Sequence, residues 1–284
     1  MRGRAVVATL VAAAVVGGAV LTASERHPFA VKAEETFFQA LNHDVKLRKA
    51  SLRDLNLAYA VEPNDPRTNL WLGLDHLWVA AESDHTNPAV LEDLMLAERY
   101  LARAQKLNPK DNRIASWLVP ARISLAQLEN DHATVAKQLR ELDEAYKKNP
   151  GFHSFSIAFM SFNSDRNSKE FNRGLEVLLK TKRCPDFNVS CRNAEHWPHN
   201  QEGFLLFEAD YQLKKGDAVG ARATLEQLKA LPSFGSWKFA SEADARLSKL
   251  DDYVARYANS DPDDDPGSPL VRSQVSCQMC HMGS

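Results

Sequence analysis

Three times the chain repeats one phrase, in which leucine follows the first residue at four positions, alanine stands three further on, and proline five beyond that. It reads Ser51-Leu55-Ala58-Pro63, Ala97-Leu101-Ala104-Pro109 and Gln138-Leu142-Ala145-Pro150. Residues spaced four and three apart share one face of an α-helix. Small residues on that face let a neighbouring helix approach closely, leucine fills the remaining gap, and proline ends the segment. From about Lys32 to Tyr257 the apolar pattern stays helical, broken by short Asn-Pro, Asp-Pro and Gly-Asp turns. A single helix pair cannot bury its own apolar side, so repeated pairs are expected to stack.

The phrase resembles the second helix of the tetratricopeptide repeat (TPR). Leu72-Gly73 stands where that family places the Leu-Gly pair of its first helix. A fuller unit runs from Glu202 to Gly235, with Gly216-Asp217 at the inter-helix turn, then Ala221, Leu225, Leu228 and Pro232. The prolines lie 46 and then 41 residues apart, against about 34 in the family. Insertions between helices, such as Asp84–Glu92, account for the excess, and Ser168–Lys182 and Ala240–Tyr257 read as further helices of the same stack. The resemblance covers most of Ala50–Tyr257. It implies an all-α, TPR-like helical-hairpin solenoid over residues 32–258, whose concave face docks a partner protein or membrane complex. Trp71, Trp78, Trp117, Trp197 and Trp237 either line that groove or fill the core between helices.

At the N-terminus, Arg2 and Arg4 precede an uncharged run from Ala5 to Ala23. Nineteen helical residues reach about 28 Å, close to the hydrocarbon thickness of a bilayer. Residues 1–24 therefore read as a signal peptide or a membrane anchor, with the basic end cytoplasmic and the rest exported. Leu21 fits the small-residue cleavage pattern poorly, which favours an anchor on the periplasmic side of a bacterial inner membrane over a soluble periplasmic protein released by cleavage. With 35 basic and 37 acidic side chains, the chain offers no basic stripe for nucleic acid.

Past Asn259 the character changes. Ser260–Pro269 reads Ser-Asp-Pro-Asp-Asp-Asp-Pro-Gly-Ser-Pro, which cannot be helical and has little to bury. Residues 259–275 are therefore expected to form an extended acidic, Pro-rich linker. It would leave the tail 276–284 able to move and expose the chain to proteolysis near Asp261–Pro269. The tail contains Cys277-Gln278-Met279-Cys280-His281. This C-x-x-C-H motif resembles the haem-attachment site of c-type cytochromes, and chance alone would produce it about 0.002 times in a chain of this composition. The resemblance implies one covalent haem c, held by thioethers from Cys277 and Cys280, with His281 as proximal ligand of the haem iron. A zinc half-site, a redox-active pair and a simple disulfide are the other readings of two such cysteines.

Met279 and Met282 lie too close to His281 to reach the opposite face of a haem. A sixth ligand would come from the repeats, another chain or water. The candidates in the chain are His43, His76, His85, His132, His153, His196, His199, Met95 and Met160. A second cysteine pair, Cys184 and Cys191, reads as a disulfide across the loop Arg183–Asn200. Together with His196 and His199 it also spells a C-x6-C-x4-H-x2-H metal site.

The sequence carries no G-x-S-x-G, phosphate-binding glycine loop or H-E-x-x-H, and acidic pairs such as Glu34-Glu35 and Asp251-Asp252 read as solvated helix faces. The expectation is a non-enzymatic, exported monohaem electron carrier with a partner-docking body. Its alternative is a TPR-like scaffold for assembly of an envelope complex, in which the haem is structural or sensory. A peroxidase-like or gas-binding enzyme would additionally need an acid–base group on the distal side of the haem.

Overall fold

The computed structural model describes residues 26–83, 87–148, 150–182, 200–259, 261, 264–271 and 273–282. They form an all-α protein, with no strand among the described residues. The candidate membrane segment, Trp197, and the group Cys184, Cys191, His196 and His199 lie outside the described residues, as does His85. None of the described helices is long and apolar enough to cross a membrane.

The helices come in sequential pairs: α1 (Pro28–Asn42) with α2 (Arg48–Val61), α3 (Pro66–Glu82) with α4 (Ala89–Leu107), and α5 (Ala115–Leu128) with α6 (His132–Lys148). Next come α7 (Pro150–Ser161) with α8 (Lys169–Lys182), and α9 (Gln201–Lys215) with α10 (Ala218–Lys229). Two short helices, α11 (Ala240–Ser248) and α12 (Leu250–Ala258), follow, and α13 (Ser276–His281) ends the described chain. Through α7 each pair also packs on the next, α2 on α3, α4 on α5 and α6 on α7.

The repeated phrase is the buried face. Ser51, Leu55 and Ala58 are the buried residues of α2, and Gln138, Leu142 and Ala145 are those of α6. Ala97, Leu101 and Ala104 occupy the same positions in α4. A fully buried leucine contributes roughly 1.5–3 kcal/mol, so these sites dominate the pairing. Gly73 allows a close approach of α3 to α4, since a Cβ there would lie 2.5 Å from Leu101 Cγ. Helix starts are locally encoded: Asp65 caps α3 by accepting from Thr68 N at 3.0 Å, just before Pro66. Gly216, at φ 92°, closes α9 in the left-handed region, and Asp217 caps α10 by accepting from Gly220 N at 2.8 Å.

Glu34 departs from the solvated face expected of Glu34-Glu35. It is buried and accepts from Arg26 and Arg67, although Glu35, Asp251 and Asp252 are exposed. Two large hydrophobic clusters organise the molecule. One joins α1–α5 around Phe37, Trp71, Leu72 and Leu101. The other joins α7–α13 around Phe204, Phe207, Tyr211 and Trp237.

The segment after Asn259 is where the structure differs most from the expected mobile tail. Arg256 Nε donates to Asp264 O at 2.8 Å, Tyr257 Oη to Gly267 O at 2.9 Å, and Ser268 Oγ to Asp210 Oδ2 at 2.6 Å. Leu270 is fully buried in the C-terminal cluster. The acidic composition conceals this because the anchors are backbone carbonyls, one hydroxyl and one leucine. Of the described aspartates, Asp264 adds an exposed contact, its carboxylate accepting from Asn259 Nδ2 at 2.9 Å.

Candidate functional site

Helix α13 carries the C-x-x-C-H motif and packs on α1, α3 and α9, bridging the first two helix pairs and the last. Its two cysteines divide between the clusters: Cys277 packs against the N-terminal one, while Met279 and Cys280 belong to the C-terminal one.

Both ends of this six-residue helix are held by distant side chains. At its start, where no local side chain provides a cap, the buried carboxylate of Glu82 accepts from Cys277 N at 3.1 Å and Gln278 N at 3.4 Å. Burial pushes the Glu82 carboxyl above its usual range, while Gln278 and Arg48 pull the other way. Arg48 lies 3.6 Å from that carboxylate and 5.5 Å from the centre of the Trp78 ring. At the other end, Asn200 Nδ2 donates to Met279 O at 2.9 Å and to Met282 O at 3.0 Å, and its backbone N–H bonds to Cys280 O at 2.6 Å. The same Asn200 caps α9 by accepting from Gly203 N at 2.7 Å. Gly203 makes the contact possible, because a Cβ there would stand 2.8 Å from both Cys280 Sγ and Met279 O.

Cys277, Cys280 and His281 all line one cavity of about 470 Å³, within the roughly 300–1,000 Å³ usual for cofactor and ligand sites. Its walls come from α3 (Leu74, Leu77, Trp78, Ala81), α5 (Trp117, Pro120, Ser124) and α7 (Ser156, Phe159, Met160), closed over by α13 and its approach. Pro120 lacks an N–H, which leaves the carbonyl of Ser116 without its helical donor. Ser156 Oγ donates to that carbonyl at 2.9 Å, joining α7 to α5 beside the cavity.

Apart from His281, no ionisable residue other than the two cysteines is among the described residues on the cavity wall. The apolar surroundings push the His281 imidazole down to about 4, so it is neutral at physiological pH, and push both thiols up. Both cysteines are free thiols. Among the described residues no group of three or more His, Cys, Asp or Glu side chains is placed to hold a bare metal ion. Two thiols and a neutral imidazole facing one apolar cavity do fit the donor set of a covalently held haem.

The structure sorts the other candidate ligands. His43 and His132 are exposed, and Met95 is 58% exposed. His76 is buried away from the cavity, its Nδ1 2.8 Å from Asp93 Oδ1 and its ring stacked on Tyr100. His153 is buried, bonded to Ser116 Oγ, with Asn112 Nδ2 3.4 Å from its Nε2, and burial lowers its pKa to about 4. Met160 alone of the described candidates reaches the cavity wall. Trp71, Trp78 and Trp237 are core residues, and Trp78 and Trp117 also line the cavity.

Glu82, Gly203 and Asn200 carry no motif. Asn200 alone had a local sign, as an Asn preceding a helical run with Glu202 in its first turn. The chain matches no protein-family model, no curated protein and no solved structure.

Proposed function

We propose that the chain is an exported monohaem c-type cytochrome-like electron carrier, with a TPR-like body that docks its redox partner. The observation that carries this reading is the convergence of Cys277, Cys280 and His281 on the wall of one apolar cavity. Cys277 and Cys280 would hold the haem by thioether bonds, and His281 would present its neutral imidazole to the iron. When bound, the haem supplies one-electron chemistry. Around it, Leu74, Leu77 and Trp78 would supply apolar wall, and Glu82 and Asn200 fix the helix that bears all three attachment residues. Export before haem attachment, by the N-terminal segment, places the protein on the periplasmic face of the membrane, either anchored or released.

One observation favours the scaffold as a second reading. Helix α13 joins the first two helix pairs to the last, so a haem on it would also serve as structural cross-brace for a solenoid that assembles an envelope complex.

The test is direct. Co-expressed with a cytochrome c maturation system, the wild-type protein should be red and keep its haem stain through denaturing electrophoresis. Cys277→Ala with Cys280→Ala should lose the stain completely. A colourless wild-type protein would sink the haem reading. Electron carrier and scaffold separate on the haemless Cys277→Ala, Cys280→Ala chain, which keeps α13: full restoration of growth defeats the electron carrier, whereas lost growth together with a lost envelope complex favours the scaffold.

A further inference from the structure

We infer that the thioether of Met160 is the sixth ligand of the haem iron; the inference rests on the haem reading above. Four residues of α7, Phe155, Ser156, Phe159 and Met160, line the cavity, and Asn163 lines it just past the end of the helix. Phe159 and Met160 lie one turn beyond Phe155 and Ser156, so the four make one stripe along the helix. Helix α13 takes its support from α1, α3 and α9, so α7 presents this stripe to the cavity from a wall other than those on which the attachment helix rests. A group held from α13 by Cys277, Cys280 and His281 and filling this cavity would meet that stripe with its far face.

The chemistry of the wall then selects the donor. Besides the attachment residues, the described lining holds hydrocarbon and aromatic side chains, hydroxyls, amides and one thioether. Serine, asparagine and glutamine are poor ligands for haem iron, whereas methionine sulfur is a good one. Met160 is also partly buried, packed against the cluster of Val119, Ile123 and Leu142. Its backbone and stem are therefore held by α5 and α6, while its three rotatable side-chain bonds leave the sulfur adjustable. His153, on the same helix, is directed instead to Ser116 and Asn112. The assignment gives a His–Met pair, which raises the potential relative to a bis-His site.

The test uses the full-length protein matured with haem. The wild-type ferric form should be six-coordinate and low-spin by absorption and electron paramagnetic resonance. Met160→Leu preserves the bulk and removes only the sulfur, so it should keep the haem stain and helical circular dichroism while turning the ferric haem high-spin. Met160→His should remain low-spin with a lower midpoint potential. A wild-type haem that is already five-coordinate and high-spin overturns the assignment. So does a Met160→Leu spectrum identical to wild type, or a loss of low-spin signal in His196→Ala or His199→Ala instead. A wild-type chain that takes up no haem removes both this inference and the function on which it rests, whereas a stained protein whose spin state ignores Met160 removes this one alone.

Discussion

In the N-terminal cluster the packing residues Leu55 and Leu101 recur at matching places in the second helices of successive pairs, with Leu72 buried in the first helix of the second pair. The C-terminal cluster is assembled differently, around Phe204, Phe207 and Tyr211 and a buried ion pair between Asp210 and Arg246. Repeated small and large residues specify pairing between neighbours, and each pair needs only the next. The C-terminal cluster must also bind a segment that arrives from 58 residues further along the chain, where Ser268 Oγ donates to Asp210 Oδ2. A buried carboxylate shared by an arginine and a hydroxyl provides what a leucine cannot, a single direction of approach. Regular packing builds the cavity's walls, and directional polar contacts close it.

The contrast breaks most visibly at Arg246. Its guanidinium is almost fully buried, bonded to Asp210 and, through Nη1 at 2.9 Å, to Glu242 Oε2. Arg246→Ala leaves Asp210 buried with Ser268 as its remaining side-chain donor, and should destabilise the protein by about 3–5 kcal/mol. Arg67, paired with Glu34 in the N-terminal cluster, has a side chain 47% exposed, and Arg67→Ala should cost about 1 kcal/mol or less because water screens the pair. Urea denaturation of both variants measures the difference. Equal losses would mean that the two clusters use charge in the same way.

Much of this architecture was legible in the sequence because its determinants are local. Ser51, Leu55 and Ala58, and their counterparts in α4 and α6, are the buried faces that their spacing foretold. Gly216-Asp217 forms the turn expected of it, and the C-x-x-C-H residues share one wall. The closure of the site was not legible. Glu82 lies 195 residues from Cys277, and nothing in either neighbourhood announces the other. The acidic stretch from residue 260 suggested a free linker, because composition reports what a segment can bury on average and misses one docked Leu270. Ala240–Tyr257, read as further helix, is two helices broken at Lys249.

A smaller effect tests the N-terminal cluster by pH. Asp75 is fully buried on α3, accepting from Ser51 Oγ at 3.1 Å. Burial raises its carboxyl to about 7, against the opposing pull of Ser51 and Arg48, and Asp93 adds to the rise. Between pH 3.8 and about 7 the folded state therefore holds a proton that the unfolded state has released. The contribution of Asp75 to stability is greatest near the lower limit and is lost as pH rises through the folded pKa, by at most about 4 kcal/mol in all. His153 acts in the opposite sense: its pKa is lowered from 6.5 to about 4, so stability is lost as pH falls through that window. The raw pH profile is thus blunted, and the difference between wild type and Asp75→Asn isolates the aspartate. That difference should shift in favour of the variant by up to about 1.4 kcal/mol per pH unit as pH rises through the window. A difference that does not change with pH would show that Asp75 is not protonated on folding.

The smallest effect falls where the two clusters meet. Glu82 belongs to α3 but its carboxylate caps α13, so Glu82→Gln alters the junction without touching the packing of either side. Glutamine keeps the oxygen that accepts from Cys277 N and Gln278 N but loses the charge, which weakens those bonds. Burial opposes this loss, since it already penalises the ionised form of Glu82, and a neutral side chain recovers part of that penalty. The net change should be about 1 kcal/mol or less, a figure that global denaturation barely resolves. Amide hydrogen exchange resolves it locally. The amides of Cys277 and Gln278 should exchange up to about fivefold faster in Glu82→Gln, while those of α2 and α4 keep the wild-type rate. If exchange instead accelerates equally in α2, α4 and α13, the tail opens only with the whole molecule. The regular and the directional halves would then be one cooperative unit, with α13 as their common core.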